Sequence, residues 1–225
     1  MTPGFFITGT DTGVGKTLAS CALLYAFNHE GKSTIGMKPV AAGCERQGTQ
    51  LRCNDVAHLR QASSVQAPLQ LVCPYAFEPP VAPHLAAAAQ DIHIDLPHIV
   101  ASFEQLRSMA QLIVVEGVGG FRVPLSANQD TADLASQLNL PVILVVGMRL
   151  GCLNHALLSA QAIGASGLPF AGWIANQVDP AMLMPDENIQ TLQERLAAPL
   201  LASFPYHASP DPLRLSRLIA LSKLI

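Results

Sequence analysis

The chain has few charged residues and no excess of positive charge. Charged residues make up 13% of its 225 residues, with 13 lysines and arginines against 16 aspartates and glutamates. A nucleic-acid-binding protein usually carries a basic surface, so we expect no nucleic-acid partner. Half of the residues are hydrophobic, which is enough to build a sizeable core in one domain that spans residues 1–225.

The sequence also lacks a membrane-spanning run and an export signal. Its most apolar run, at 140–148, is interrupted by Pro141 and Gly147 and is far shorter than the roughly 20 residues that a membrane helix needs. No cationic segment precedes an apolar one at the start, where a strand is predicted within a few residues of Met1. We therefore expect a cytoplasmic protein that does not bind membranes.

The cysteines show no pattern typical of a zinc site or a redox motif. The five are odd in number and form no C-x-x-C pair, so reduced thiols that pack as small apolar residues are the simplest interpretation. Cys44 and Cys53 could instead bind a metal together with His58, although their spacing fits no zinc template. The five cysteines are Cys21, Cys44, Cys53, Cys73 and Cys152.

A glycine-rich turn near the start is the most informative stretch. Residues 5–8 are predicted to form a short buried strand and residues 18–27 a helix, and G-T-D-T-G-V-G lies between them at 9–15. Backbone N–H groups in such a turn can surround an anion, and the positive end of the helix adds to the attraction. Lys16 would reach the β- and γ-phosphates, and the Thr17 hydroxyl would bind Mg²⁺.

The turn differs from the phosphate-loop pattern G-x-x-x-x-G-K-[ST] in one respect. Its first glycine is Gly9 rather than residue 10, so the loop is one residue longer than the standard loop. A glycine-rich turn that only joins a strand to a helix remains an alternative. The Gly-Lys-Thr sequence in this setting favours a nucleotide phosphate site.

A second strand, at 34–40, is predicted to end beside Lys38. In open α/β sheets ligands gather outside the carboxyl ends of the strands, so Lys38 could face a phosphate or substrate, or could extend into solvent. Residues 44–54 are predicted to form a loop that leads to a helix. Asn54 or Asp55 could cap that helix, and Asp55 could alternatively lie near Mg²⁺.

A third strand, Q-L-I-V-V-E-G at 111–117, ends in a carboxylate. Its consecutive apolar residues indicate burial on both faces, as in a parallel sheet. Phosphate-loop proteins hold Mg²⁺ with an acid at the end of such a strand, and the glycines that follow allow close approach of a ligand. Glu116 is therefore a candidate metal ligand.

Three more strands complete an alternating pattern of strands and helices. The strands are predicted at 141–147, 170–176 and 200–205, and helices at 84–90, 96–110, from about 155 to 165, at 186–196 and at 211–223. This pattern predicts an α/β fold with a mostly parallel sheet covered by helices on both faces. The turn at 151–154 offers a second possible anion site at a helix N-terminus, and Asn176 ends a strand with an amide that could read a base edge.

Taken in order, several segments resemble the dethiobiotin synthetase family of phosphate-loop NTPases. They are G-T-D-T-G-V-G-K-T at 9–17, M-K-P-V-A-A-G at 37–43, Asp55, V-E-G-V-G-G at 115–120 with P-L at 124–125, L-G-C-L-N-H-A at 150–156 and A-G-W-I-A-N at 171–176. Related amidoligases and partitioning ATPases share the first and the third informative stretches, but the ordered set is strongly specific and covers nearly the whole chain.

This resemblance implies an ATP- and Mg²⁺-dependent ligase of biotin synthesis. The family closes a ureido ring on 7,8-diaminopelargonate with CO₂ and gives dethiobiotin, ADP and phosphate. The reaction passes through a carbamate and a carbamic–phosphoric anhydride. The family's substrate lies across the twofold interface of a homodimer, so the resemblance implies a homodimer here as well.

The resemblance also implies a role for each candidate residue. Lys16 and Lys38 would be catalytic, because they balance the charge of the carbamate and of the transferred phosphoryl group. Thr17, Asp55 and Glu116 would bind Mg²⁺. The nucleotide-binding residues would be Gly13, Val14, Gly15, Lys16, Thr17, Leu18, Asp55, Glu116, Gly117, Val118, Gly119, Asn176, Gln177, Pro205, Tyr206 and His207, with Asn176 reading the adenine and the last four lining the base pocket.

The implied substrate-binding residues come from two subunits. Thr12, Lys38 and Ala42 would contact the diamine from one subunit. The backbone N–H groups of the partner subunit's 151–154 turn would hold the substrate carboxylate. The residues of that turn are Gly151, Cys152, Leu153 and Asn154.

Two positions depart from the family pattern. Gly13 stands where many members carry a glutamate, and Ala42 stands where a Ser or Thr hydroxyl often contacts the carbamate or the substrate amine. Loss of one neutral hydrogen bond costs roughly 0.5–1.5 kcal/mol. We therefore expect weaker substrate binding or a slower rate, with the reaction retained.

Two other functions are compatible with parts of the sequence. A partitioning-type ATPase switch would need a partner-facing or membrane-targeting element, and the somewhat basic segment 213–225 fits a packing helix better. Lys38 and the 151–154 turn would also have no purpose in a switch. An amidoligase that acts on a larger acid would normally need a glutaminase domain, for which 225 residues leave no room.

Overall fold

The structure is a computed structural model that describes residues 4–48 and 50–224, apart from the side chain of Gln50. At its centre is a six-stranded sheet in which all neighbouring strands run parallel. Numbered in chain order, its strands are β1 (Gly4–Gly9), β2 (Thr34–Met37), β7 (Leu112–Glu116), β8 (Val142–Met148), β9 (Phe170–Gln177) and β10 (Leu200–Phe204). They lie side by side in the order β10-β9-β8-β1-β7-β2.

Four short strands lie between β2 and β7 in the sequence. β3 (Val40–Ala41) pairs in parallel with β6 (Tyr75–Ala76), and β4 (Glu45–Gln47) pairs with β5 (Gln50–Arg52) in an antiparallel hairpin. The helices are α1 (Lys16–His29), α2 (Asn54–Ala62), α3 (Leu69–Val72), α4 (Pro83–Ala88), α5 (Leu96–Arg107), α6 (Thr131–Leu138), α7 (Cys152–Ala165), α8 (Pro185–Arg195) and α9 (Pro212–Leu215). Single 3₁₀ turns follow at Ser216–Leu218 and Leu221–Lys223.

Helices cover both faces of the sheet because successive strand side chains point to opposite sides. Phe6 and Val115 pack into one hydrophobic core, which α5, α6, α7 and α8 cover. Ile7 and Val114 pack into a second core, which α1, α2 and α9 cover. Burial on both faces explains the continuous apolar strands, and the predicted fold class is confirmed.

The predicted strand at 34–40 ends earlier than expected. Pro39 has no N–H group for a sheet ladder, and the main sheet strand ends at Met37. The Lys38 N–H donates to the Val72 carbonyl at 2.8 Å, and the chain then pairs with β6 instead.

The predicted helix at 211–223 is also interrupted. The backbone of Ile219 is extended, its side chain is buried in the second core, and the Ala220 N–H donates to the Leu201 carbonyl at 2.9 Å. A continuous helix would lose these contacts with the sheet edge. Among the described residues, no helix is both long enough and apolar enough to cross a membrane.

The predictions for residues 44–54 and for two cysteines are wrong. The segment forms the β4–β5 hairpin in place of a loop, and Cys44 is joined to Cys53 by a disulfide. The hairpin pairs Glu45 with Arg52, which brings the flanking cysteines to a Cα–Cα distance of 4.5 Å, within the range typical of disulfides. Cys21, Cys73 and Cys152 are free and buried, as expected.

The disulfide predicts a measurable contribution to stability. Its cysteines are nine positions apart, and a loop of that length stabilises the folded state by about 2–3 kcal/mol through the entropy of the unfolded chain. Urea unfolding with and without dithiothreitol should differ by that free energy. The Cys44→Ala/Cys53→Ala protein is the control and should not respond to the reductant. Five reactive thiols in the oxidised, denatured wild-type protein would contradict the bond.

Candidate active site

The phosphate loop after β1 leaves the N-terminus of α1 free of any side-chain cap. Gly15 is the N-cap residue, with φ 90°, and a Cβ added to it would lie 2.1 Å from Asn176 Nδ2. Only glycine fits at this point. The uncapped N–H groups and the positive helix end form an anion-binding site of the kind predicted from the sequence.

Gly13, one of the two departures from the family pattern, has a left-handed backbone with φ 74°. A Cβ at Gly13 would meet no atom within 4 Å, so space is available for a side chain. The conformation itself favours glycine, which adopts it without steric cost. The glycine therefore suits the loop as it is folded here.

Contacts from two neighbouring strands hold the loop in place. Asn176 Nδ2 donates to the Val14 carbonyl at 2.9 Å, so a side-chain amide of β9 holds the loop backbone. Arg149, after β8, pairs with the Asp11 carboxylate at 2.6 Å. Lys16 Nζ donates to the Asp11 carbonyl at 2.9 Å, which keeps its ammonium group beside the loop backbone.

Lys38 forms the centre of a buried charged cluster. Its Nζ contacts Glu116 Oε1, lies 3.0 Å from Asp55 Oδ2 and donates to the Gly117 carbonyl at 3.2 Å. Lys38 is 3% exposed and Glu116 is 1% exposed. The Thr17 hydroxyl donates to the same Glu116 oxygen at 2.9 Å. Four predicted site residues, from four separate elements or loops, therefore meet at one point.

The surroundings favour the charged forms of Lys38 and Asp55. Burial alone would lower the pKa of Lys38, but Glu116 and Asp55 outweigh it, so the pKa is raised. Burial alone would raise the pKa of Asp55, but the Lys38 ammonium outweighs it, so that pKa is lowered. The pKa of Lys16 is lowered to about 8, chiefly because the side chain is buried and secondly because the Lys38 ammonium repels its positive charge.

Asp55 does not cap its helix, contrary to one of the two alternatives. Cys53 is the N-cap residue of α2 and makes no side-chain cap hydrogen bond. Asp55 lies in the first turn, where a carboxylate is favoured by the helix dipole, and its side chain pairs with Lys38. The position is therefore compatible with the predicted metal role.

The cluster opens into a cavity of about 740 Å³, hereafter the active-site cavity. It brings together candidates for nucleotide, metal and substrate binding from separate parts of the chain. The predicted residues that line it are Thr12, Gly13, Gly15, Lys16, Thr17, Lys38, Ala42, Asp55, Glu116, Val118 and Gly119.

Sequence reasoning missed one wall of this cavity. Residues 80–83 line it together with Asp11, Gly120 and Val123. The Gly43 N–H donates to the Pro79 carbonyl at 3.2 Å, which ties this proline-rich segment to the chain after β3. The four prolines at 74–83 were the available signal, since they indicate a rigid segment, but rigidity alone does not place it.

The predicted base-pocket residues lie on the same edge of the sheet but outside the active-site cavity. The β9–β10 register places Asn176 opposite Phe204, so Gln177 and the turn at 205–207 continue from adjacent strand ends. Val14, a residue of the phosphate loop, is buried. Leu18 faces a separate cavity of about 410 Å³ that Thr17 and residues 210–212 also line.

The predicted carboxylate site at 151–154 does not reach the cavity within one chain. Gly151 is the N-cap residue of α7, with φ 94° and no side-chain cap. The Cys152 N–H donates to the Arg149 carbonyl at 3.0 Å, whereas the Leu153 and Asn154 N–H groups donate to no acceptor within the described part of the chain. Leu150 beside them is 97% exposed.

The oxygen atoms around Glu116 fit a magnesium ion. Glu116 Oε2 is buried and has no hydrogen-bond partner among the described residues, which is costly unless a ligand satisfies it. Thr17, Asp55 and Glu116 supply the oxygen ligands that Mg²⁺ prefers, and phosphates and waters usually complete such a site. No group of three His, Cys, Asp or Glu side chains able to hold a metal occurs in residues 4–48 and 50–224, so the metal site considered for Cys44, Cys53 and His58 is not formed.

Comparison with known proteins agrees with this geometry. An AAA domain model matches residues 3–213. The ATP-dependent dethiobiotin synthetase BioD of Aromatoleum aromaticum (strain DSM 19018 / LMG 30748 / EbN1) is 55% identical over 208 residues, 92% of each chain. The protein with the same name from Nitrosospira multiformis (strain ATCC 25196 / NCIMB 11849 / C 71) is 48% identical over 224 residues, 100% of this chain and 97% of its own.

Solved structures with the same fold are more distant. The septum site-determining protein MinD with Mg-ADP from Pyrococcus horikoshii OT3 has a TM-score of 0.56 at 16% identity, over 99% of this chain and 89% of its own. At that identity the likeness shows the fold alone. Because two relatives with about half of their residues identical cover nearly the full length, the chain belongs to the ATP-dependent dethiobiotin synthetase family.

Proposed function

We propose that this chain closes the ureido ring of dethiobiotin on 7,8-diaminopelargonate, with CO₂ and MgATP as the other reactants and ADP and phosphate as products. The observation that carries the proposal is the buried Lys38 ammonium, held between Glu116 and Asp55 at the edge of the active-site cavity. Family membership supports the reaction. The cytoplasmic location and the absence of nucleic-acid and membrane partners remain predictions from composition.

The chemistry needs no side-chain nucleophile. One substrate amine adds to CO₂ and loses a proton, which gives a carbamate. A carbamate oxygen attacks the γ-phosphorus, the bond to the bridging oxygen breaks, and ADP leaves. The second amine then attacks the carbamoyl carbon, loses a proton and expels phosphate as the ring closes. Catalysis is therefore chiefly positioning and charge neutralisation.

Lys16 and Lys38 supply the positive charge for these steps. Lys16 sits at the start of α1, where the triphosphate would meet the free N–H groups. Lys38 is nearly buried, and charge–charge interactions are stronger in such a site than in water. Mg²⁺, held by Thr17, Asp55 and Glu116, would neutralise charge on the β- and γ-phosphates.

Nucleotide and substrate specificity would come from the other predicted residues. Asn176 already uses its NH₂ group to hold Val14, which leaves its carbonyl oxygen to accept from the adenine amino group. Gln177, Pro205, Tyr206 and His207 would surround the base at the adjacent strand ends. Thr12 and Ala42 would contact the diamine, and Ala42 offers no hydroxyl to it.

A homodimer would complete the substrate site. The 151–154 turn lies outside the active-site cavity of its own chain. Large apolar side chains are exposed beside this turn, further along α7 and at the start of α8, which packs against α7, and such exposure is typical of an interface. A partner subunit would bring its 151–154 turn to the cavity and bind the substrate carboxylate through backbone N–H groups. The exposed apolar residues are Leu150, Leu158, Leu183 and Met184.

The assay for the proposed function measures dethiobiotin and phosphate together. Wild-type protein with diaminopelargonate, bicarbonate and MgATP should release equal amounts of both. Lys38→Ala should lower kcat by at least about 10²–10³-fold, as loss of a charge-stabilising donor commonly does, and should leave ADP affinity within a few fold. Arg195→Ala, an exposed change on α8, is the control. Phosphate release at a rate that does not depend on the diamine would instead indicate an ATPase switch.

The dimer predicts that a surface charge outside the cavity disrupts both assembly and substrate binding. Leu158→Asp replaces an exposed apolar side chain of α7 with a carboxylate. Because the position is exposed, the change should lower the folding stability only slightly. Sedimentation should show a dimer for the wild-type protein and a monomer for the variant, and the KM for the diamine should rise at least tenfold while ADP binding is unchanged. A monomeric wild-type protein with full activity would refute the shared site.

A further inference from the structure

A second cavity, of about 580 Å³, lies between the β4–β5 hairpin, α2 and α3. We call it the hairpin cavity. It shares no lining residue with the active-site cavity, and none of the proposed nucleotide, metal or substrate residues faces it. Its lining consists of Gln47, Leu51, Arg52, Cys53, Val56, Ala57, Arg60, Gln61, Gln66, Leu69, Cys73 and Ala76.

The charge in the hairpin cavity is all of one sign. Two arginines line it, and no carboxylate does so among the described residues. Glu45 is opposite Arg52 in the hairpin register, yet no ion pair joins them within the described part of the chain. Arg46 of the same hairpin, by contrast, pairs with Glu78 at 2.8 Å. Among the described residues, the two lining guanidinium groups therefore lack the carboxylate partner that Arg46 has.

Arg60 gives the most specific indication of a missing ligand. Its Nε is buried and has no hydrogen-bond partner among the described residues. Its own backbone carbonyl accepts from Gln66 Nε2 at 2.9 Å, so the adjacent loop is fixed against it. A buried N–H group of a cation without an acceptor is costly, and an anion in the cavity would satisfy it.

The rest of the lining is apolar or neutral. Leu51, Val56 and Leu69 provide apolar surface, and Leu69 is partly exposed. The glutamine side chains add neutral amide groups. Small-molecule sites commonly combine an apolar lining with a few polar groups that fix orientation. A ligand with a charged end and an apolar body would match both parts of this cavity.

We propose that the hairpin cavity binds a small organic anion. Its carboxylate or phosphate head pairs with Arg52 and Arg60, since the guanidinium fork matches both groups. Its apolar body lies against Leu51, Val56 and Leu69. Two walls of the cavity are continuous with segments that carry site residues. Cys53 precedes α2, which carries Asp55. Cys73 follows Val72, whose carbonyl accepts from the Lys38 N–H.

Calorimetric titration of the oxidised full-length protein tests the proposal without any need for turnover. The probes are octanoate, octyl phosphate and inorganic phosphate, with saturating MgADP present so that the active-site cavity is blocked. We expect octanoate or octyl phosphate to bind, and the tighter of the two identifies the head group. Arg52→Gln/Arg60→Gln should weaken that binding at least about tenfold, whereas Arg195→Gln should bind as the wild type does.

Three further measurements keep the result interpretable. Turnover of the double variant should match the wild type and its melting temperature should be no lower, since glutamine is a good helix former at Arg60 in α2 and neither arginine makes an ion pair within the described residues. Leu69→Ser should weaken octanoate or octyl phosphate and leave inorganic phosphate unaffected. Absence of binding by both octyl probes, equal binding by the double variant, or equal affinity for inorganic phosphate would overturn the proposal.

Discussion

A buried lysine between two carboxylates is the constraint on which the site depends. Lys38 and Glu116 are both almost fully buried, and removing one partner of such a pair commonly costs about 3–5 kcal/mol because the other charge is left without compensation. Removal of one charge from the cluster should therefore destabilise the folded protein. In the proposed reaction the partners would exchange, because Mg²⁺ would be bound by the carboxylates and the Lys38 ammonium would then pair with the anionic substrate.

The parallel sheet makes this cluster possible. Strands that run in one direction deliver their carboxyl ends to the same edge, so Lys38 after β2, Glu116 at the end of β7 and the loop after β1 meet there although they are far apart in sequence. The hydrophobic cores on the two faces fix the strands. The fold thus brings charged side chains together at the carboxyl edge of the sheet, whose strands are fixed by the two hydrophobic cores.

The features that local sequence predicted well are those with local causes. The apolar run before Glu116, the glycines before Lys16 and the alternation of strands and helices each reflect burial or backbone geometry within a few residues. The β4–β5 hairpin was missed because Glu45, Arg46 and Gln47 are exposed and carry no apolar alternation, and the disulfide depends on that pairing. The α6 helix was missed although Asp130 and Asp133 form a capping box at its start.

Other parts of the site depend on contacts that no local pattern encodes. The pairing of Arg149 with Asp11, the support of Val14 by Asn176 and the wall at 80–83 all join distant segments. Family resemblance supplied roles for Val14 and Asn176 but not their contacts. The ion pair of Asp55 with Lys38 likewise depends on how α2 packs beside β2.

The most direct test of the exchange between lysine and metal is a Mg²⁺ titration of Glu116→Gln. The Mg²⁺ concentration at half-maximal turnover should rise at least about tenfold, because an amide would replace the charged ligand proposed for the metal, whereas ADP affinity in the absence of metal should stay the same. Glu187→Gln, an exposed change on α8, should titrate as the wild type does. An unchanged Mg²⁺ dependence in Glu116→Gln would contradict the account.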